Sequence, residues 1–206
     1  MCASPQNGVP KLPFGVLWAC RRWHVQPTKF VLIASLAKQR LWLFELRQRR
    51  SVAGQTSASG GAPGCFYIHG SEYQFRRCFL SSTSRFGAGQ QSGSNRTPLG
   101  LHRIAEKIGA GQPIGTVFES RQPVGLTWQG RSEAAIAHRI LWLEGLEPGF
   151  NQGGSLDSHS RYIYIHGLGN EPSLGQPSSR GCIHLAAADL IPLFDRVPTG
   201  TLVWIF

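Results

Sequence analysis

At 206 residues, 41% hydrophobic and only 16% charged, the chain is long enough to bury a sizeable core and too apolar to be disordered. Its 25 Gly and 13 Pro argue for many turns and few long helices, and no apolar run approaches the roughly 18 residues of a membrane-spanning helix. The formal charge of +10 is concentrated at one end: residues 1–50 hold nine Lys and Arg against the single Glu45, so a folded basic face of the kind a nucleic-acid module presents is not expected.

In chain order, residues 1–28 form a basic arm expected to be irregular. Within it Leu17-Trp18-Ala19-Cys20 loosely resembles a lipoprotein cleavage box, but an apolar run of about six residues falls short of an export signal. The run Phe30 to Ala34 leads through Ala37 to Arg40 into Leu41 to Phe44, a β-hairpin rich in β-branched and aromatic residues. Residues 47–64 are polar and Gly/Ser-rich and mark a loop or insertion. Strands follow over Phe75–Thr83 and Leu99–Ile104. Glycines 109, 111, 115 and 125 exclude a long helix over residues 105–130. Ala134–Leu143 fits a strand better than a short helix, and Tyr162–Ile165 is a clear strand delivering His166 at its end. Asp189 is the expected N-cap of one short helix, Leu190–Arg196, with Pro192 at its third position, and Thr201–Ile205 closes the chain as a strand.

Cys2, Cys20, Cys65, Cys78 and Cys182 are odd in number and irregularly spaced, with no C-x-x-C pair, so neither a disulfide framework nor a zinc site is indicated. No metal or cofactor is expected. Cys182 stands out by its context, Ser178-Ser179-Arg180-Gly181-Cys182-Ile183-His184, a small-residue loop flanked by cations that favours an exposed thiolate. His166 ends a strand sixteen residues earlier, and the Gly/Pro/Ser loop between them is long enough to fold thiol against imidazole, as nucleophile and base. Asp157 is the nearest carboxylate to orient that imidazole; a backbone carbonyl serves equally. His69 shares the local context of His166 but lacks a following S-x-G-C segment, which makes it a decoy. His102 and His159 fit cleft or surface positions, and Trp142 and Tyr164 fit the core.

Ile165-His166-Gly167 followed by Ser179-Arg180-Gly181-Cys182-Ile183 resembles the signature of the bacterial L,D-transpeptidase catalytic domain of YkuD type. Val31–Glu45 resembles the family's opening hairpin, Ser82–Gly87 with Thr97–Gly100 its substrate-side loop, and Thr199–Val203 its closing strand. The resemblance covers residues 29–206, with 47–72 as an insertion. It implies a mainly β sandwich with one short helix after the nucleophile loop. It further implies a cysteine-dependent L,D-transpeptidase acting on peptidoglycan stem peptides in the bacterial envelope. Cys182 would attack, His166 would act as base, the Gly167 carbonyl would hold the imidazole, and the N–H groups of Gly181 and Cys182 would stabilise the oxyanion. Ser179, Arg180 and His184 would contact substrate. An L,D-carboxypeptidase, or a binding module of the same fold, are the alternatives. Many members carry histidine at the position of Arg180 and arginine or asparagine at that of His184, so His184 would grip a substrate carboxylate only when protonated. Because the recognisable domain begins near Lys29, loss of residues 1–28 is expected to be tolerated.

Overall fold

The structure is a computed structural model that describes residues 10–47 and 72–206. The expected hairpin is present as β1 (Phe30–Ser35) and β2 (Arg40–Leu46), in register Ile33 opposite Trp42. Its turn ends at Gln39, held at φ +48°, whose buried amide donates to Leu36 O (2.5 Å) and Thr83 Oγ1 (2.8 Å) and accepts from Thr83 N–H (2.7 Å). One side chain thereby ties the hairpin to the end of β3 (Tyr73–Ser82). β2 and β3 pair from Leu46 opposite Tyr73, and Arg47 N–H reaches Glu72 O, so the segment read as an insertion leaves and rejoins the sheet at one point. Residues 48–71, with His69 and Cys65, lie outside the described residues.

The remaining strands are β4 (Gly100–Ile108), β5 (Thr116–Glu119), β6 (Gln122–Leu126), β7 (Ala137–Gly145), β8 (Tyr164–Gly167), β9 (Ile183–Leu185) and β10 (Leu202–Ile205). Their order is β4-β10-β1-β2-β3-β9-β8-β7-β5-β6, and β4 also pairs with β7, so eight strands close on themselves while β5 and β6 extend from the β7 edge. Most pairs are antiparallel; β1–β10 and β8–β9 are parallel. The fold is therefore mainly β, as expected. The β5–β6 hairpin inside the glycine-rich stretch was not expected. Its two-residue turn, Ser120-Arg121, has positive φ at both positions (47° and 69°), the geometry such hairpins demand, reached here without glycine.

The inner core combines Leu32, Leu41, Leu43, Leu141, Leu143, Ile165, Ile183 and Val203 with Leu190, Leu193 and Phe194 of α2 (Ala187–Arg196). β1 is buried along its whole length, because its other face, Val31 and Ile33, is covered as well. That explains its unbroken apolar run.

The cover is α1 (Phe14–Arg22), which corrects the expectation of an irregular arm. Val16, Ala19 and Cys20 of α1, with Leu12 before it, pack on Val31, Ile33, Phe44, Leu101 and Leu202. Burial pushes the Cys20 thiol up to about 11. Gly15 permits the close approach, since a Cβ there would stand 2.7 Å from the Trp204 ring. Just beyond the helix, Trp23 Nε1–H donates to Glu147 Oε2 (3.2 Å), while Glu147 Oε1 accepts from Leu101 N–H. The helix was missed because its apolar face alternates with Phe14, Trp18 and basic residues that stay exposed, which blurs the amphipathic stripe.

α2 also begins earlier than expected. Its N-cap is Ala186, which offers no side-chain oxygen; Glu171 Oε1 from the preceding loop accepts the Ala187 N–H instead (2.7 Å). Asp189 lies in the first turn and pairs with Arg77 (2.7 Å), and Pro192 stands at the sixth position, not the third. Among the described residues no helix is long and apolar enough to cross a membrane.

Candidate active site

The parallel β8–β9 ladder sets Ile165 opposite Ile183 and His166 opposite His184. Side chains alternate along a strand, so the two isoleucines enter the core while His166 and His184 share the outer face with Tyr164 and Cys182. A strand read only as loop, β9, thus performs the folding back that the spacing implied. The two imidazole centroids are 4.8 Å apart.

His166 is nearly fully buried, and its Nδ1–H donates to the Gly167 carbonyl at 2.9 Å. A carbonyl only accepts, so the proton resides on Nδ1 and Nε2 keeps a lone pair. Gly167 has no room for a side chain: a Cβ would stand 2.7 Å from His138 Cδ2. Asp157 does not orient His166; its oxygens accept the N–H groups of Gly153 and Ser160 and shape their own loop.

Cys182 is half-buried against Phe118, Ile140, Trp142 and Tyr164. Its thiol donates to Tyr162 O (3.4 Å) and accepts from Tyr164 N–H (3.4 Å). Burial pushes it up to about 11, against the opposing pull of the Tyr164 N–H and Arg161, and burial pushes His166 down to about 4. Both shifts favour the neutral thiol and the neutral imidazole at rest, in the opposite direction to the thiolate expected from the loop's flanking residues. The physical reason is the aromatic floor, which removes the solvent a thiolate needs.

The loop around the nucleophile is tied internally. Gly181, at φ +122°, donates its N–H to Ser179 Oγ (3.2 Å), and Ser179 Oγ–H donates to Cys182 O (2.6 Å). The Gly181 N–H expected at an oxyanion is thus engaged by Ser179 in this state. Ser179 N–H in turn donates to Thr83 O and Arg85 N–H to Ser179 O, which brings the Ser82–Gly87 segment alongside, as the resemblance implied. Arg180 is exposed. His184 is neither exposed nor cationic: burial, then the neighbouring His166, push it down to about 3, and its Nδ1 is buried without a partner. Burial therefore works against a carboxylate clamp by protonated His184.

Several residues of the site were passed over in the sequence, as with Arg161 and Arg121, or placed only loosely, as with His159 in the cleft or on the surface. Arg161 donates to the carbonyls of Gly89, Gln90 and Arg96 and is a cation felt by the Cys182 thiol. Trp142 and Tyr164, read as core, are buried but form the floor. His159 stacks on Trp142 at 4.0 Å, and Tyr162 flanks it at 5.7 Å. Arg121 reaches in from the β5–β6 turn over the Trp142 ring. Their positions along the chain carry no shared spacing. His102 lies elsewhere, fully buried between Gly100 O and Ser158 Oγ.

These buried histidines have a measurable consequence. Burial lowers both His102 and His166 to about 4, whereas an unfolded chain takes up protons near 6.5. Between those values the unfolded state binds more protons, so stability is complete above about pH 6.5 and falls as pH falls. The expected loss is on the order of 5 kcal/mol for the two together by pH 4. Urea midpoints measured from pH 7.5 to 4.5 check this; a constant midpoint would contradict it.

The closed, mainly β sheet thus carries His166 on β8 and Cys182 immediately before the parallel strand β9. The L,D-transpeptidase catalytic domain model of YkuD type matches residues 29–205, and the chain belongs to that family. Among solved structures it is similar to Bdellovibrio bacteriovorus Bd1075 (14% identity, 87% of this chain and 48% of that one, TM-score 0.49). It is also similar to an L,D-transpeptidase of Xylanimonas cellulosilytica (15%, 88% and 62%, 0.45) and to the Enterococcus faecium L,D-transpeptidase C442S mutant (14%, 89% and 52%, 0.47). The chain spans about half to two thirds of the length of these proteins. No curated protein sequence matches it.

Proposed function

We propose that this chain is a cysteine-dependent L,D-transpeptidase acting on tetrapeptide stems of peptidoglycan in the bacterial envelope. The observation that carries the reading is the β8–β9 ladder, which places Cys182 and His166 on one face with the imidazole tautomer set by Gly167 O. On substrate binding, the Cys182 proton passes to His166 Nε2 as Sγ bonds to the carbonyl carbon of the L-to-D peptide bond. The oxyanion forms near the Cys182 N–H, with the Gly181 N–H available once Ser179 releases it. His166 then returns the proton to the leaving amine of the D-residue, the C–N bond breaks and a thioester remains. The amine of a second stem attacks that thioester, His166 takes its proton, and collapse yields the cross-link and restores the thiol.

Because burial favours the neutral form of both groups, the proton would move during attack. Intact-mass spectrometry after exposure to a carbapenem is expected to show one covalent adduct, absent from Cys182→Ala. No adduct on the parent protein would instead favour a peptidoglycan-binding module of the same fold.

A further inference from the structure

Burial disfavours a cationic His184, the Arg161 guanidinium is committed to three backbone carbonyls, and Arg180 beside the nucleophile is exposed, so a cation seated on the aromatic floor of the site has to come from elsewhere. The β5–β6 hairpin supplies one. Arg121 sits at the second position of its two-residue turn, and its guanidinium lies 4.7 Å over the Trp142 ring and 5.1 Å over the Tyr162 ring. One nitrogen, Nη1, donates to Tyr164 Oη at 3.4 Å. Tyr164 is the residue whose backbone N–H touches the Cys182 sulfur, so the cation stands on the same aromatic floor as the thiol. Among the described residues no carboxylate forms an ion pair with Arg121; Glu106, whose charge it feels, is engaged by His159 Nε2 at 3.4 Å.

We propose that Arg121 is the carboxylate-binding residue of this site, presenting the free edge of a stacked guanidinium to a carboxylate of the stem peptide. The inference rests on the stem-peptide reading given above. The two rings and the Tyr164 hydroxyl hold the guanidinium and use one of its donors, which leaves the other N–H groups of its planar fork for the paired oxygens of a carboxylate. The turn itself supports this role: two non-glycine residues in the left-handed region hold the hairpin tip in a defined shape, and the two rings hold the side chain. A stem tetrapeptide ends in a carboxylate a few atoms beyond the bond that Cys182 would attack, and a side chain can carry a second. Arg121 would bind either, and peptides amidated singly at each position distinguish them.

The test uses the full chain with Cys182→Ala, so that binding is read without chemistry. Calorimetric titration with a stem tetrapeptide and with its singly amidated forms is expected to show about tenfold or more preference for one free carboxylate. Arg121→Gln in the same background should bring that ratio close to one, and Arg121→Lys, which keeps charge but loses the planar fork, should retain part of it. Circular dichroism establishes that each variant is folded. A ratio unchanged in Arg121→Gln overturns the assignment while leaving the proposed activity standing, provided the parent protein is acylated by the stem. If the tetrapeptide neither binds nor acylates the parent, the stem-peptide reading fails and this assignment fails with it.

Discussion

His166→Ala is expected to slow acylation of Cys182 by about 10²- to 10⁴-fold at pH 7, the usual contribution of a positioned general base. The effect should carry a distinctive pH dependence. In the parent protein His166 is already unprotonated above about pH 4, and the thiol keeps its proton up to about 11. Acylation should therefore be nearly flat from pH 5.5 to 9, falling only as the imidazole gains a proton at lower pH. Without the imidazole, only the small thiolate fraction reacts, so the residual rate should rise about tenfold per pH unit over that range. Carbapenem adduct formation followed by stopped-flow or quenched mass spectrometry measures both profiles. A parent-like rate, or a parent-like flat profile in His166→Ala, would remove His166 from the base role.

Deleting residues 1–28 is expected to abolish cooperative folding. Five apolar side chains, Val31, Ile33, Phe44, Leu101 and Leu202, lose the cover of Leu12, Val16, Ala19 and Cys20, and each full burial is worth roughly 1.5–3 kcal/mol for residues of this size. Glu147 also loses its Trp23 partner. Against a total stability of about 5–15 kcal/mol the loss is decisive. This reverses the expectation drawn from where the recognisable domain begins. Urea unfolding of the truncated chain is the measurement; a cooperative transition at the parent midpoint, with adduct formation intact, would show that α1 is an ornament on an independent domain.

Strands with one consistent pattern were legible in the sequence, because alternation or an unbroken β-branched run is a local property: β1, β2, β3, β7 and β10 fall close to their expected places. α1 and the start of α2 were not, since each depends on a distant partner. The α1 stripe is meaningful only over the outer face of β1, and α2 begins at Ala187 because Glu171, sixteen residues earlier, accepts its first N–H. The β5–β6 hairpin hid among glycines for a related reason, its turn being built from Ser120 and Arg121 and not from a recognisable Asn-Gly pair.

Cys182 and His166 could be named as candidates from the sequence, because the small-residue loop around the thiol, the strand before the imidazole and the resemblance to the family signature all lie along the chain. Their protonation could not be read there. Whether a thiol beside histidines rests as thiolate depends on how much solvent reaches it, and Trp142, Tyr164, Phe118 and Ile140, drawn from three separate strands, decide that by covering it. The same holds for the cations: Arg180 and His184 were singled out because they are neighbours of Cys182 along the chain. The closed sheet packs His184 against His166 on the outer face of β8 and β9, leaves Arg180 exposed, and brings Arg121 and Arg161 to the site from segments 61 and 21 residues earlier in the chain. Electrostatics at a site is a sum over distances in space, and a one-dimensional sequence supplies only the terms that happen to be adjacent.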